Sequence, residues 1–367
     1  MPRNAASLFQ GDFDQSRLKF AEDTLRQGLD AGEYTCAAYL VACHGNTVIS
    51  RAIGCLSDEE CSPSAGLHTI FDVSSLTKPM ATATSLLKLV ELGEISLDEK
   101  VTAFLPEQKT EHLRDVTLRC LATHTSGLPA WVNLYSHSES RDDAINQLFR
   151  VQLQSRPGTQ YRYSCLGYII LGLVVEHVSA MPLDTFASEF IFGPLGMANT
   201  RFKPPQHLWG AIARTANCEN RAEVRLGEVH DGNAWGLGGV AGNAGLFSTV
   251  EDVTTFAQMI LFGGKYNGRR ILTKNSVQLM ITNQLPAAIG GQGIGFFTRP
   301  NPMLGFGESF SAHVAGHTGF TGCSLLLDPT HVSSIVLLTN RVYTDRDASS
   351  YLRRRRLFHE IIASAIS

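Results

Sequence analysis

The stretch FDVSSLTKPM, Phe71 to Met80, decides how the chain is read, because it sets two serines just ahead of a lysine and a proline just behind it. On a helix Ser75 and Lys78 lie three residues apart and Ser74 and Lys78 four apart, so either hydroxyl shares the lysine's face. Proline is tolerated in a helix's first turn, where its missing N–H has no partner to lose, which predicts a helix starting near Ser74 or Ser75. Downstream, Met80, Ala83, Leu86, Leu87, Val90 and Leu92 repeat at helical spacing, and Gly93 is a C′ stop. That helix is therefore expected to be largely buried. Burial strips the water that favours an ammonium's charge, so Lys78 is expected to take up a proton near neutrality. Backbone N–H groups at the helix start favour negative charge developing beside the serine. The plainer reading of the same letters is an N-cap serine followed by a surface lysine, and the rest of the chain must decide.

With 367 residues, 44% hydrophobic and 18% charged, the chain can bury a sizeable core, and a formal charge of −3 suggests no nucleic-acid partner. The one basic run, Arg353 to Arg356, precedes Leu357, Phe358, Ile361, Ile362 and Ala365 at helical spacing and reads as a solvated helix face. No apolar run of signal-peptide or membrane-spanning length occurs, so the expectation is a soluble, cytoplasmic protein unless a leader has been removed. Cys36, Cys43, Cys55, Cys61, Cys120, Cys165, Cys218 and Cys323 form no C-x-x-C pair and no zinc spacing, so reduced, mostly buried thiols are expected.

Leu18, Ala21, Leu25 and Leu29 predict an amphipathic helix over 14–30. CAAYLVACHGNTVISRAIG then reads as two strands around a His44-Gly45-Asn46 turn. The middle of the chain alternates helices, such as 165–178 and 251–262, with Gly- and Pro-rich connections, and Ser248 to Glu251 (STVE) reads as a capping box for the second. Strand character returns in CSLLLDP (323–329) and VSSIVLLTN (332–340), before a last helix. Strands at both ends with helices between suggest one sheet assembled from the two termini with a helical region inserted.

Three short motifs fall in order: SLTK at 75–78, YSC at 163–165 and HTGFTG at 317–322. With LATHTSGLP (121–129), RPGTQYRYSCLGYIILG (156–172), GPLGM (193–197) and AGLFST (244–249), they make the chain resemble the serine β-lactamase and penicillin-binding-protein superfamily, in particular its class C-like branch of β-lactamases, D-amino-acid peptidases and esterases. The resemblance runs from about residue 15 to 342. It implies an α+β fold, an antiparallel sheet flanked by helices with an inserted helical subdomain. Residues 1–80 and 290–367 would form the sheet domain and 81–289 the helical one, together a single catalytic unit.

The resemblance makes Ser75 the nucleophile, Lys78 its proton acceptor and Tyr163 a proton shuttle to the leaving group, with His317 and Thr318 across the cleft. A serine hydroxyl is too weak an acid to attack unaided, so a base beside it is what the chemistry demands. Gly319 would let an edge strand pass close to a bound acyl group, and the backbone N–H groups of Ser75 and Phe320 would receive the oxyanion. Two residues depart from the family pattern. Cys165 stands where an asparagine amide is usual, and His317 stands where β-lactamases carry lysine, which predicts a charge that titrates near neutrality. Both changes weaken recognition of a substrate's amide and carboxylate. The expected activity is an acyl-enzyme hydrolase of small esters or D-configured amides and peptides first and β-lactams second, without metal or cofactor. A penicillin- or peptidoglycan-binding module with the same fold is the alternative. Ser74 reads as an N-cap or packing residue, and His124, His230 and Asp231 as hydrogen-bonded structural groups. GLGGVA (236–241) matches a loose dinucleotide pattern, but no strand precedes it, so it is read as a loop approaching the cleft.

Overall fold

Nearly unbroken apolar runs make strands only where both faces of a sheet are covered, and that is where CAAYLVAC and the C-terminal strands lie. In the computed structural model, which describes residues 13–105, 111–136, 138–216, 226–304, 307–344 and 347–366, six strands form one antiparallel sheet. Their order is Asn46–Gly54, Cys36–Cys43, Ser333–Thr339, Ser324–Asp328, Ala315–Thr318 and Phe297–Thr298. Alternation divides the buried residues between two cores. Ala38, Leu40, Leu325, Leu327, Val336 and Leu338 face the large core of the helical region, whereas Tyr39, Val41, Leu326, Ile335 and Leu337 face the terminal helices Gln15–Asp30 and Ala348–Ile366. The sheet is built from both ends of the chain, and the α+β fold expected from the sequence is the one observed.

Local details follow the backbone. The hairpin turns on His44 and Gly45 at φ 49° and 82°, the positive-φ pair of a type I′ turn, and Asn46 already belongs to the second strand. Helix Val250–Leu261 is capped by Thr249, whose hydroxyl accepts from the Asp252 N–H at 3.3 Å; Ser248 ends the preceding strand and bonds Thr200 instead, which moves the expected cap by one residue. Arg353 and Arg356 are exposed, but Arg354 leaves the solvated face to bridge Glu33 at 2.7 Å. The seven described cysteines are all unpaired; three are buried, Cys61 is exposed and the others are intermediate. Cys218 and the first 12 residues lie outside the described residues. No single helix among the described residues is long and apolar enough to cross a membrane.

Candidate active site

The short strand Phe71–Asp72 pairs with Leu246–Ser248, which also pairs with Arg201–Phe202, so the backbone leading into the serines is pinned on a small sheet. Beyond Val73 the expected single helix is broken into three pieces. A 3₁₀ turn spans Ser74–Leu76, a π-type segment Lys78–Ala83, and only Thr84–Leu92 is α-helical, ending at Gly93 with φ 79°. Ser74 is not an N-cap: it stands at φ 50°, its N–H donates to Asp72 Oδ1 at 2.8 Å, and its hydroxyl accepts from the Phe320 N–H at 3.2 Å. The choice between the two hydroxyls is thereby resolved. Ser75, half-buried, is the one that meets the lysine.

Lys78 is fully buried, and its Nζ has three polar neighbours. Its Nζ lies 3.0 Å from Ser75 Oγ, 3.0 Å from the Asn243 carbonyl and 3.5 Å from Cys165 Sγ. The loop containing GLGGVA delivers Asn243 to this position, and Asn243 in turn donates to Asp231 at 3.2 Å. Asp231 also caps helix Gly232–Gly236, so it is structural as expected, yet it stands one residue removed from the lysine. Sequence spacing does not reveal Asn243, because its main-chain oxygen makes the contact and any residue has one.

Opposite stands an aromatic wall. The Tyr163 ring lies 4.9 Å from Lys78 Nζ, 4.6 Å from the His124 ring, 5.7 Å from Phe297 and 6.0 Å from His317. Burial pushes the Tyr163 phenol well above its ordinary range, a hydrogen bond with Ser75 opposing it, so the group is a neutral phenol at rest. His317 stacks on Phe297 at 4.4 Å and 16°, and its Nδ1 meets the Thr318 carbonyl at 3.0 Å. A carbonyl only accepts, so Nδ1 carries the proton and Nε2 a lone pair. His124 is the reverse: its Nδ1 accepts from the Ser164 N–H at 3.1 Å, which leaves the proton on Nε2. Neither buried Nε2 has a hydrogen-bond partner among the described residues. The expectation that His317 titrates near neutrality is corrected here: burial, with Lys78 and His124 adding to it, holds its pKa well below the ordinary histidine value.

Cys165 opens the helix Cys165–Ser179, and burial raises its thiol pKa against the pull of Lys78. Thr318 and Gly319 bring the end of Ala315–Thr318 against the serine turn; this strand is second from the edge, not the edge strand expected, because Phe297–Thr298 pairs outside it, and a Cβ on Gly319 would come within 2.6 Å of the Val73 carbonyl. Phe320 projects at the mouth, 63% exposed, stacked on His230 at 5.8 Å and 13° with the Arg341 guanidinium 4.8 Å away. The four motif residues Ser75, Lys78, Tyr163 and His317 thus converge on one cleft, the first two from the serine turn and the others from two further segments. Its chemistry is that of a hydroxyl between an amine and a phenol, beside a turn of backbone N–H groups.

Residues 21–360 match the family described as Beta-lactamase. The chain is 29% identical to the "Putative D-alanyl-D-alanine carboxypeptidase" of Salmonella agona (strain SL483), over 92% of this chain and 86% of the relative. It is 28% identical to the N-acetylmuramyl-L-alanine amidase of Bacillus subtilis (strain 168), over 90% and 82%. Among solved structures, EstCE1, a hydrolase with promiscuous acyltransferase activity, superposes with a TM-score of 0.76 at 23% identity, covering 94% of this chain and 99% of its own. That last likeness is one of fold.

Proposed function

This chain belongs to the beta-lactamase family, and from that premise we propose that it is a serine hydrolase working through an acyl-enzyme on Ser75. The observation that carries the reading is the 3.0 Å contact from Lys78 Nζ to Ser75 Oγ in a site where the amine is fully buried. Ser75 attacks the substrate carbonyl as Lys78 accepts its proton, and the oxyanion is received by the N–H groups of Ser75 and Phe320, the latter exchanging the Ser74 hydroxyl, its partner at 3.2 Å, for the oxyanion. Tyr163, a phenol at rest, is the proton donor that the leaving group meets. Water then releases the acyl group by the reverse proton path.

Small esters and D-configured amides rank first as substrates and β-lactams second. A neutral His317 supplies no cation for a substrate carboxylate, Cys165 supplies a thiol in place of an amide donor, and the exposed Phe320 ring presents an apolar surface beside the donor turn. The names of the curated relatives, a carboxypeptidase and an amidase, support acyl transfer from amides. The test is intact-mass analysis of wild type and Ser75→Ala after a fluorophosphonate, alongside p-nitrophenol release from a short-chain ester. Serine-dependent labelling with steady turnover is expected. Labelling without turnover would transfer the reading to a binding module, and full activity in Ser75→Ala would end it.

A further inference from the structure

The two backbone donors of the proposed oxyanion site sit on different segments, the Ser75 turn and the 319–322 turn, so something must hold them in register. One buried aspartate touches both, its carboxylate on the serine turn and its main-chain carbonyl on the 319–322 turn. Asp72 is 2% exposed, and its two oxygens accept N–H groups far apart in sequence: Oδ1 from Ser74 and Oδ2 from His230, each at 2.8 Å. From Ser74 the chain of contacts continues through its hydroxyl to the Phe320 N–H, and from His230 through its ring to the face of Phe320. The Asp72 carbonyl closes the circuit by accepting from the Thr321 hydroxyl at 2.8 Å. Arg341 clamps the same turn, with its guanidinium on the Phe320 carbonyl at 3.1 and 2.8 Å and its own N–H on the Thr321 carbonyl at 3.0 Å.

We propose that Asp72 is a positioning residue which, through Ser74, His230 and Thr321, fixes the two oxyanion-binding backbone N–H groups relative to Ser75. The proposal rests on the acyl-enzyme reading above. Three features make it more than a turn-stabilising contact. A buried carboxylate is costly to keep, and here its two oxygens match two backbone donors, one on each flank of the cleft. The residue it holds, Ser74, occupies the left-handed backbone region that a side chain avoids unless its surroundings impose it. An asparagine of the same shape has only one oxygen, so its NH₂ would face one of the two N–H groups and push that flank away.

The experiment compares wild type, Asp72→Asn and Thr321→Val in p-nitrophenyl acetate turnover, inhibition by phenylboronic acid, and thermal unfolding. The boronate forms a tetrahedral adduct and so reports the oxyanion donors, which a merely structural residue would leave intact in the folded fraction. For Asp72→Asn, kcat is expected to fall about 10²-fold with KM changed less than about threefold, and boronate affinity to fall in parallel. Thr321→Val, close in shape to the original, is expected to lose about fivefold in both, and it carries the test if Asp72→Asn does not fold. Boronate affinity and kcat within about twofold of wild type in the folded variants would overturn the proposal. A wild type with no Ser75-dependent turnover would instead overturn the acyl-enzyme reading on which it rests.

Discussion

Lys78 and His317 lie in one cleft and are equally buried, yet the two sides of that cleft treat them differently. Lys78 Nζ has three oxygen or sulfur neighbours, one of them the Ser75 hydroxyl. His317 is stacked on an aromatic ring, bonded to the carbonyl of its neighbour, and held neutral. The difference teaches that burial alone does not make a base: in the proposed reaction Lys78 has in Ser75 a partner that supplies a proton, whereas His317 Nε2 has no hydrogen-bond partner among the described residues. The sharpest way to break the comparison is to remove each group in turn. Lys78→Met, which keeps the length and burial of the side chain, is expected to cut ester kcat by about 10³–10⁴-fold, and His317→Gln by less than about tenfold. Steady-state kinetics of the two purified variants decides it, and equal losses would mean that His317 shares the proton transfer.

Tyr163 lies between the two walls, and its predicted effect is next in size. In the proposed reaction it donates to the departing group as a neutral phenol, so Tyr163→Phe should matter most when that group leaves as a strong base. An amide substrate is expected to lose about 10²-fold in kcat, and a p-nitrophenyl ester, whose leaving group needs no proton, about tenfold or less. Similar losses on both substrates would place Tyr163 in the attack step instead.

How much of the molecule is legible in its sequence depends on whether the signal is local. The helix Gln15–Asp30 follows from periodicity, and the first hairpin and the two C-terminal strands from apolar runs bounded by turns, because each signal lies in the element's own residues. The motif spacing likewise identifies Ser75, Lys78, Tyr163 and His317, which the fold brings together. The features that escape it are set by partners distant in sequence. The break at Ser74 comes from Asp72 and Phe320, the short strand Ala315–Thr318 exists only as an addition to Ser324–Asp328 and Phe297–Thr298 only as an addition to Ala315–Thr318, and Asn243 contributes a carbonyl that no side-chain pattern announces. The ionisation of His317 is illegible for the same reason, since residue type suggests a titrating charge and burial against Phe297 removes it.

The neutral histidines make a prediction on stability as well. His124, His317 and His359 are buried, and burial holds each well below the ordinary value of about 6.5. In the unfolded chain they regain that value, so below it the unfolded state binds more protons than the native one. Their contribution is therefore present above about pH 6.5 and is lost as pH falls toward the folded-state values, at up to about 1.4 kcal/mol per pH unit for each histidine. Denaturant melts between about pH 7.5 and 5.5 should show this loss, with His359→Gln reducing its slope by about one proton. A flat profile would mean that the rings become charged within the fold.

The smallest effect concerns specificity. Cys165 presents a thiol that burial keeps protonated, at the start of a helix whose cap is Ser164 and 3.5 Å from Lys78. A thiol is a weak donor, so an ester carbonyl and an amide carbonyl would gain equally little from it, and in the proposed reaction the site is expected to discriminate poorly in favour of amides. Cys165→Asn places an N–H donor at the same helix start without adding charge. One net hydrogen bond realised on an amide substrate corresponds to a rise of about five- to tenfold in the ratio of amide to ester kcat/KM. If that ratio stays fixed while both activities persist, the proposed preference for esters would have to reside on the other wall, where a neutral His317 stands in place of a cation.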